Sequence, residues 1–406
     1  MNKVTRILSK AMRKRFIIPV IIILCIFACY IYKVVTWTSV DSETKKTSDS
    51  IIRQVVAKQL TTAPNNPINP NKLTNEDFAQ ITDLHIHLTA EGTAIELSDI
   101  KLLDKFTNIQ KLSFCDIKFP QSVIPSWMKI LVKRGIFNFS ERFSIDLSPL
   151  KNLSKLELLT ISGTQVSDLE PIKKLKNLKI LGISNTQISD LEPIKKLTKL
   201  ERLEIVYTQV SDLEPIKGLT NLRELQIGNT KISDLKPLKG LSNLQILGIG
   251  GTRVFDLEPI SELVSLQLLG INETQVSNLE PIKGLTNLSS LYLAQTQVSD
   301  LNPIKGLTKL KWLDISNTQI SDLEPIRELT NLTELRICET QVSDIEPIKG
   351  HANLEYFDIR ATRISDLEPI KELINLKSLN ISYCPNITDE QLEELQKALP
   401  ALNITK

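Results

Sequence analysis

The residues best equipped for chemistry lie together near position 85. In "ITDLHIHLT", residues 81–89, Asp83 precedes His85 and His87. Histidines two apart fall on one face of a strand, a spacing that suits two ligands of a water-activating metal ion. Such a catalytic site needs three protein ligands around an open position. The only other histidine is His351, far along the chain, so ligand number and geometry both fail. A second candidate is the stripe Asp168, Asp190, Asp212, Asp234, Asp256, Asp300, Asp322, Asp344 and Asp366, with Asn278 at the missing step. Calcium takes six or more converging oxygens, and one carboxylate per step does not converge. These side chains suit instead the capture of a backbone N–H before a turn. No Ser-His-Asp set, phosphate loop or dinucleotide fingerprint is present. No catalytic residue, metal ligand or cofactor is expected, and the chain does not read as an enzyme.

The spacing of the aspartates belongs to a larger pattern. Prolines stand at 149, 171, 193, 215, 237, 259, 281, 303, 325, 347 and 369, each 22 residues from the last. Threonines keep the same step from Thr164 to Thr362. A fixed period in the twenties marks a solenoid of stacked units. Around Thr164 the apolar positions are Leu153, Leu156, Leu159, Ile161, Val166, Leu169 and Ile172, and later units repeat them. "LELLTI" alternates, so Leu159 and Ile161 point inward while Leu158, Thr160 and Ser162 point out. Pro171 suits the start of a tight turn or of one 3₁₀ turn, where its missing N–H costs nothing. Within this frame His85 and His87 are outward residues of a first, imperfect repeat strand.

"NLSKLELLTISGTQVSDLEPIKKL" resembles the leucine-rich repeat L-x-x-L-x-L-x-x-N-x-I-x-x-L-x-x-L, with Thr164 at the usual Asn position. The 22-residue length and the "SDLEPI" segment are similar to those of the bacterial internalin-like type. Ten near-regular units cover roughly residues 151–372. The resemblance implies an α/β fold: a leucine-rich repeat solenoid with a curved parallel sheet on its concave face, short turns or 3₁₀ segments on its convex face, and helical caps. Threonine for asparagine is a departure, because a hydroxyl offers one donor where an amide offers two.

The flanks follow from the need to cover the end leucines. "IIRQVVAKQL" sets Ile51, Ile52, Val55, Val56 and Leu60 on one helical face, and Thr74 with Asp77 is close to a capping box. At the back, Thr388 and Gln391 fit a capping box, and Leu392, Leu395 and Leu399 share a helical face. The expected organisation is a basic head (1–15), a transmembrane anchor or signal segment (16–35), a polar stalk (36–50), a helical N-cap (51–80), degenerate repeats with an insertion (81–150), leucine-rich repeats (151–386) and a C-terminal cap (387–406). The insertion near 120–148 holds Trp127, Phe137 and Phe139.

Of 406 residues, 41% are hydrophobic and 5% aromatic, and the net charge is +2. Residues 1–33 hold seven bases and no acid, leaving 42 bases against 47 acids in the rest, a net of −5. A mildly acidic body offers no electrostatic footprint for nucleic acid. The apolar run Phe16–Tyr32, with six bases before it, predicts a single-pass membrane protein, N-terminus cytoplasmic and repeats outside. The alternative is secretion after cleavage at Ala28. "IFAC" also faintly resembles a lipoprotein box ending at Cys29, although Phe27 is bulky for one. The five cysteines show neither a disulfide framework nor a zinc spacing.

The outward strand positions locate the expected ligand-binding face. Early repeats present small or aliphatic groups: Leu158, Ile180, Gly182, Gly248, Gly250 and Gly270. From Tyr292 onward one row reads Trp312, Glu334, Tyr356, and its neighbour reads Tyr292, Asp314, Arg336, Asp358, with Arg360 beside them. Aromatic and Arg side chains dominate interface hot spots. The competing reading pairs the Asp and Arg side chains across strands and packs Trp312 on Arg336. The expectation is a non-catalytic, membrane-anchored scaffold that recognises a protein or polysaccharide through the concave sheet. The alternatives are an intracellular regulatory scaffold similar to phosphatase-binding repeat subunits, and an enzyme with its site in the insertion.

Overall fold

One repeat contains most of the architecture. In L-x-x-L-x-L the alternation turns the central leucine of a three-residue strand inward. Leu159, Leu181, Leu203, Leu225, Leu247, Leu269 and Leu291 are all fully buried there. Three residues past the strand comes a residue in the left-handed region. This is Gly163 in the first regular repeat, then Asn185, Tyr207, Asn229, Gly251, Glu273, Gln295, Asn317, Glu339 and Ala361, with φ between 53° and 82°. The next residue is always the periodic threonine. Its buried hydroxyl donates to the carbonyl three residues back, as from Thr164 to Ile161 and from Thr230 to Ile227, both at 2.7 Å. The asparagine of the usual pattern is thus replaced by a bond closed within each repeat.

The chain then crosses to the opposite face. Asp168 Oδ1 accepts the Glu170 N–H at 2.8 Å, and the same bond recurs at Asp190, Asp212, Asp234, Asp256, Asn278, Asp300, Asp322, Asp344 and Asp366. The aspartate stripe is therefore a turn device. It launches a 3₁₀ turn such as Glu170–Ile172 with proline at its start, where no N–H is needed. Glu170–Lys173, Glu192–Lys195 and Glu280–Lys283 form ion pairs on this turn face. Exposed pairs of this kind contribute little stability.

The computed structural model describes residues 51–60, 69–88, 102–116 and 145–406. Among them, fourteen strands form one parallel sheet in strict chain order. β1 (Asp83–Leu88) and β2 (Lys111–Asp116) precede eleven three-residue strands at 22-residue steps, β3 (Leu158–Thr160) through β13 (Ser378–Asn380), and β14 (Asn403–Thr405) closes the order. Register is kept throughout, Leu159↔Leu181 and Leu313↔Leu335 being two examples. The sheet and the turns enclose one continuous aliphatic core. Each buried side chain contributes about 1.5–3 kcal/mol, and no repeat could bury its own leucines alone.

Helices cover both ends. α1 (Ile51–Leu60) and α2 (Asn75–Gln80) bury Val56, Ala57 and Phe78. Phe78 meets Phe106 edge-on at 5.2 Å. Thr74 and Asp77 complete the capping box of α2, and Thr388 and Gln391 that of α3 (Asp389–Ala398). Leu392, Leu395 and Leu399 are buried against the last repeat.

The membrane expectation is corrected. Among the described residues no helix is long and apolar enough to cross a membrane. The longest, α1 and α3, have ten residues each. Ten residues reach about 15 Å, half of a hydrocarbon core. A single-pass topology with extracytoplasmic repeats therefore has no support in the structure. The basic head, the apolar segment at 16–35 and the stalk lie outside the described residues. So do Trp127, Phe137 and Phe139 of the insertion.

Candidate ligand-binding face

Strands β9 (Ser290–Tyr292), β10 (Trp312–Asp314), β11 (Glu334–Arg336) and β12 (Tyr356–Asp358) carry the expected binding residues. The register sets Trp312 beside Glu334 and Glu334 beside Tyr356. It likewise lines up Tyr292, Asp314, Arg336 and Asp358. The strands therefore bring seven of the residues onto one face of the sheet, and Arg360 lies in the turn two residues after β12; they do not contribute equally.

Trp312 is 45% exposed, in the company of strands whose central residues are fully buried. Nearly half of this indole is left in water mid-sheet, an apolar surface that its own fold does not cover. Two strand steps away, about 10 Å by the usual spacing, Tyr356 is half-buried and lies under the guanidinium of Arg336, 5.3 Å from Cζ to the ring centroid. Arg336 Nη2 also pairs with Glu334 Oε1 at 2.6 Å. The ion pair thus runs along β11, not across to Asp314 or Asp358, and the aromatic partner of Arg336 is Tyr356. A planar cation held between a carboxylate and a ring is preorganised for contact. Burial pushes the phenols of Tyr292 and Tyr356 above their ordinary range, so both remain neutral hydrogen-bonding groups at physiological pH.

The two aspartates serve the backbone. Asp314 Oδ1 accepts the Ser316 N–H at 3.0 Å. Asp358 is only 1% exposed and is gripped by Arg360, with Nη2 at 2.8 Å and Nε at 2.9 Å. That bond raises the Arg360 guanidinium further above its usual value. Asp358 therefore reaches a ligand only through Arg360. Asn380 repeats the motif, accepting the Ser382 N–H at 3.1 Å. The surface available to a partner comprises Trp312, Arg336 and Arg360, with the edges of Tyr292, Glu334 and Tyr356.

The first strand offers no comparable cluster among the described residues. His85 is exposed, and Asp83 is taken by Lys111 Nζ at 2.8 Å. Among the described residues no group of three or more His, Cys, Asp or Glu could hold a metal ion. His351, which the sequence places in a turn, is fully buried. It occupies the core position that is leucine from Leu175 to Leu329 and again at Leu373.

Reading only the strand positions misses the row just before each strand, including Lys311 beside Trp312. The available signal was the replacement of alternating Glu and Lys or Arg by Gln245, Gln267 and Ser289.

Sheet, turns and register define a leucine-rich repeat solenoid. The family model for Leucine Rich repeats (2 copies) matches residues 154–196, 176–218, 198–240 and 308–350. Among solved structures the chain is similar to an internalin, inlF, of Listeria monocytogenes, at 26% identity, 88% of this chain, 95% of that chain and a TM-score of 0.70. A leucine-rich repeat protein of Leptospira interrogans aligns at 18% identity over 82% of this chain and 92% of its own, TM-score 0.60. A plant peptide hormone receptor, RGFR1, in complex with RGF2, aligns at 18% over 74% and 49%, TM-score 0.54. No curated protein sequence matches the chain.

Proposed function

We propose that the chain is a non-catalytic binding scaffold that recognises a protein ligand through the sheet face of its last repeats. The observation that carries this reading is the exposed Trp312 beside the Glu334–Arg336–Tyr356 stack. Large amphipathic side chains in a fixed arrangement bind with little loss of rotamer entropy. Trp312, Arg336 and Tyr356 are the anchors. Tyr292, Asp314, Glu334, Asp358 and Arg360 set the polarity around them, Asp358 by fixing Arg360. A structure of the same fold was solved as a peptide hormone receptor in complex with RGF2, which supports a polypeptide as the ligand class.

The test is capture of partners on the immobilised full chain, followed by titration of the partner found. Trp312→Ala and Tyr356→Ala should each weaken binding by at least about 1–2 kcal/mol, or roughly five- to thirtyfold, with an unchanged melting midpoint. Wild-type affinity in the double variant would move the site off this face.

A further inference from the structure

The row one residue before each strand begins and ends as a charge ladder. Glu157 pairs with Lys179 at 2.8 Å, and Glu355 with Lys377 at 2.7 Å. After Glu201 and Arg223, which continue the first ladder, it reads Gln245, Gln267, Ser289, Lys311, Thr333, without a carboxylate. Lys311 is exposed and enters no ion pair among the described residues. Two residues earlier, Lys309 Nζ donates to Asn287 Oδ1 at 2.7 Å, a neutral partner that leaves its charge uncompensated.

These rows line a cleft of about 600 Å³ that runs from Gln245 to Asn331. Its walls are carboxamides, hydroxyls and the two ammonium groups, and no acidic side chain lines it. Asn287 and Asn331 are held in place by hydrogen bonds donated from their Nδ2 atoms to the carbonyls of Val264 and Thr308, at 2.8 and 2.9 Å. Two cations without counter-ions select an anion. Carboxamides, which donate and accept, match a peptide main chain. From Gln245 to Lys311 is three strand steps, about 14 Å, a length that four or five extended residues span.

We propose that this cleft is a second subsite, which takes an acidic segment of the ligand. A carboxylate sits at Lys309 and Lys311, and the main chain lies along Gln267 and Gln245. The inference rests on the proposed function only in taking the ligand to be a polypeptide; the selection of a carboxylate follows from the cleft itself.

The experiment titrates two peptides into the full-length chain at low ionic strength by calorimetry. One is hexaglutamate capped at both ends; the other is hexaglutamine with a free C-terminal carboxylate. Binding of the first assigns the subsite to acidic side chains, and binding of the second alone assigns it to a chain terminus. In either case Lys309→Gln with Lys311→Gln should weaken binding at least tenfold. The equally charged turn-face pair Lys174→Gln with Lys239→Gln should bind like wild type. Failure of both peptides, equal binding of hexalysine, or equal affinity in the Lys309/Lys311 and turn-face variants would overturn the proposal. Hexaglutamate titration of the wild type and the lysine variants reads the cleft alone, and partner titration of Trp312→Ala and Tyr356→Ala reads the aromatic anchors, so failure of one and failure of the other are separate results.

Discussion

From Asp168 to Asp366 the turn face repeats one hydrogen bond ten times, with proline three residues after each acceptor. On the sheet face, one outward row over the same repeats runs through Leu158, Arg202, Glu224, Leu268, Ser290, Trp312 and Tyr356. Both faces rest on one core, so packing alone does not explain the difference. Turn-face groups are fixed because they bond to backbone that every repeat presents identically. Outward strand side chains owe the fold little beyond their neighbours, and so are free to serve a partner. Uniformity therefore marks what builds the array, and local departure marks what uses it.

The sharpest way to break this division is a pair of adjacent residues on β10. Leu313 is 1% exposed and Trp312 is 45% exposed. Leu313→Ala should cost about 2–5 kcal/mol in chemical denaturation, the range for emptying a packed core site. Trp312→Ala should cost less than about 0.5 kcal/mol in stability while weakening partner binding by at least about 1–2 kcal/mol. Comparable losses of stability at the two positions would mean that the tryptophan is structural.

The next effect tests the bond closed within each repeat. Thr230→Val keeps the shape of the side chain but removes the donor to Ile227 O, leaving a buried carbonyl short of one partner. The expected loss is about 1–2 kcal/mol. The same change at the exposed Thr198 should fall within about 0.5 kcal/mol.

A smaller effect of opposite sign is expected at the left-handed residue. Ala361 is exposed with φ 53°, a conformation that a Cβ penalises. Ala361→Gly should raise stability by about 0.5–1 kcal/mol, and an unchanged or lower midpoint would show that the site relaxes without strain.

This position also shows what the sequence concealed. The repeat length, strand register and both capping boxes were legible because each rests on local chemistry tied to residue type: leucine inward, proline at the turn, Thr with Gln or Asp. The left-handed step was not, because its occupants include Tyr207, Glu273, Gln295 and Ala361, none of which announces positive φ. The gathering of Trp312, Arg336 and Tyr356 on one face followed from period and alternation. The burial of Asp358 did not, since it depends on how Arg360 folds back over the strand. The apolar run near the N-terminus suggests a span through its length and flanking bases, and no described helix supports that reading.

The smallest effect concerns a core position where a histidine interrupts a column of leucines. His351 stands where the repeats before it and the one after it place leucine, with Nδ1 2.9 Å from Ile348 O and Nε2 3.2 Å from Ile326 O. A neutral imidazole has one donor for two carbonyls. Burial, chiefly, with a smaller contribution from Arg327, holds its pKa below the ordinary histidine value. The folded chain therefore takes up this proton less readily than the unfolded chain. Stability is fully present above the unfolded value near 6.5 and is lost as the pH falls below it. One proton limits the loss between pH 7 and pH 6 to about 0.7 kcal/mol. His351→Leu should remove this slope without orphaning either carbonyl, because Leu329 N–H and the N–H of residue 351 already donate to them. Denaturation midpoints of the wild type and His351→Leu, measured at pH 7, 6 and 5, decide the matter. Parallel curves would mean that the protonated ring, bonded to both carbonyls, is as stable in this core as the leucine of its neighbours.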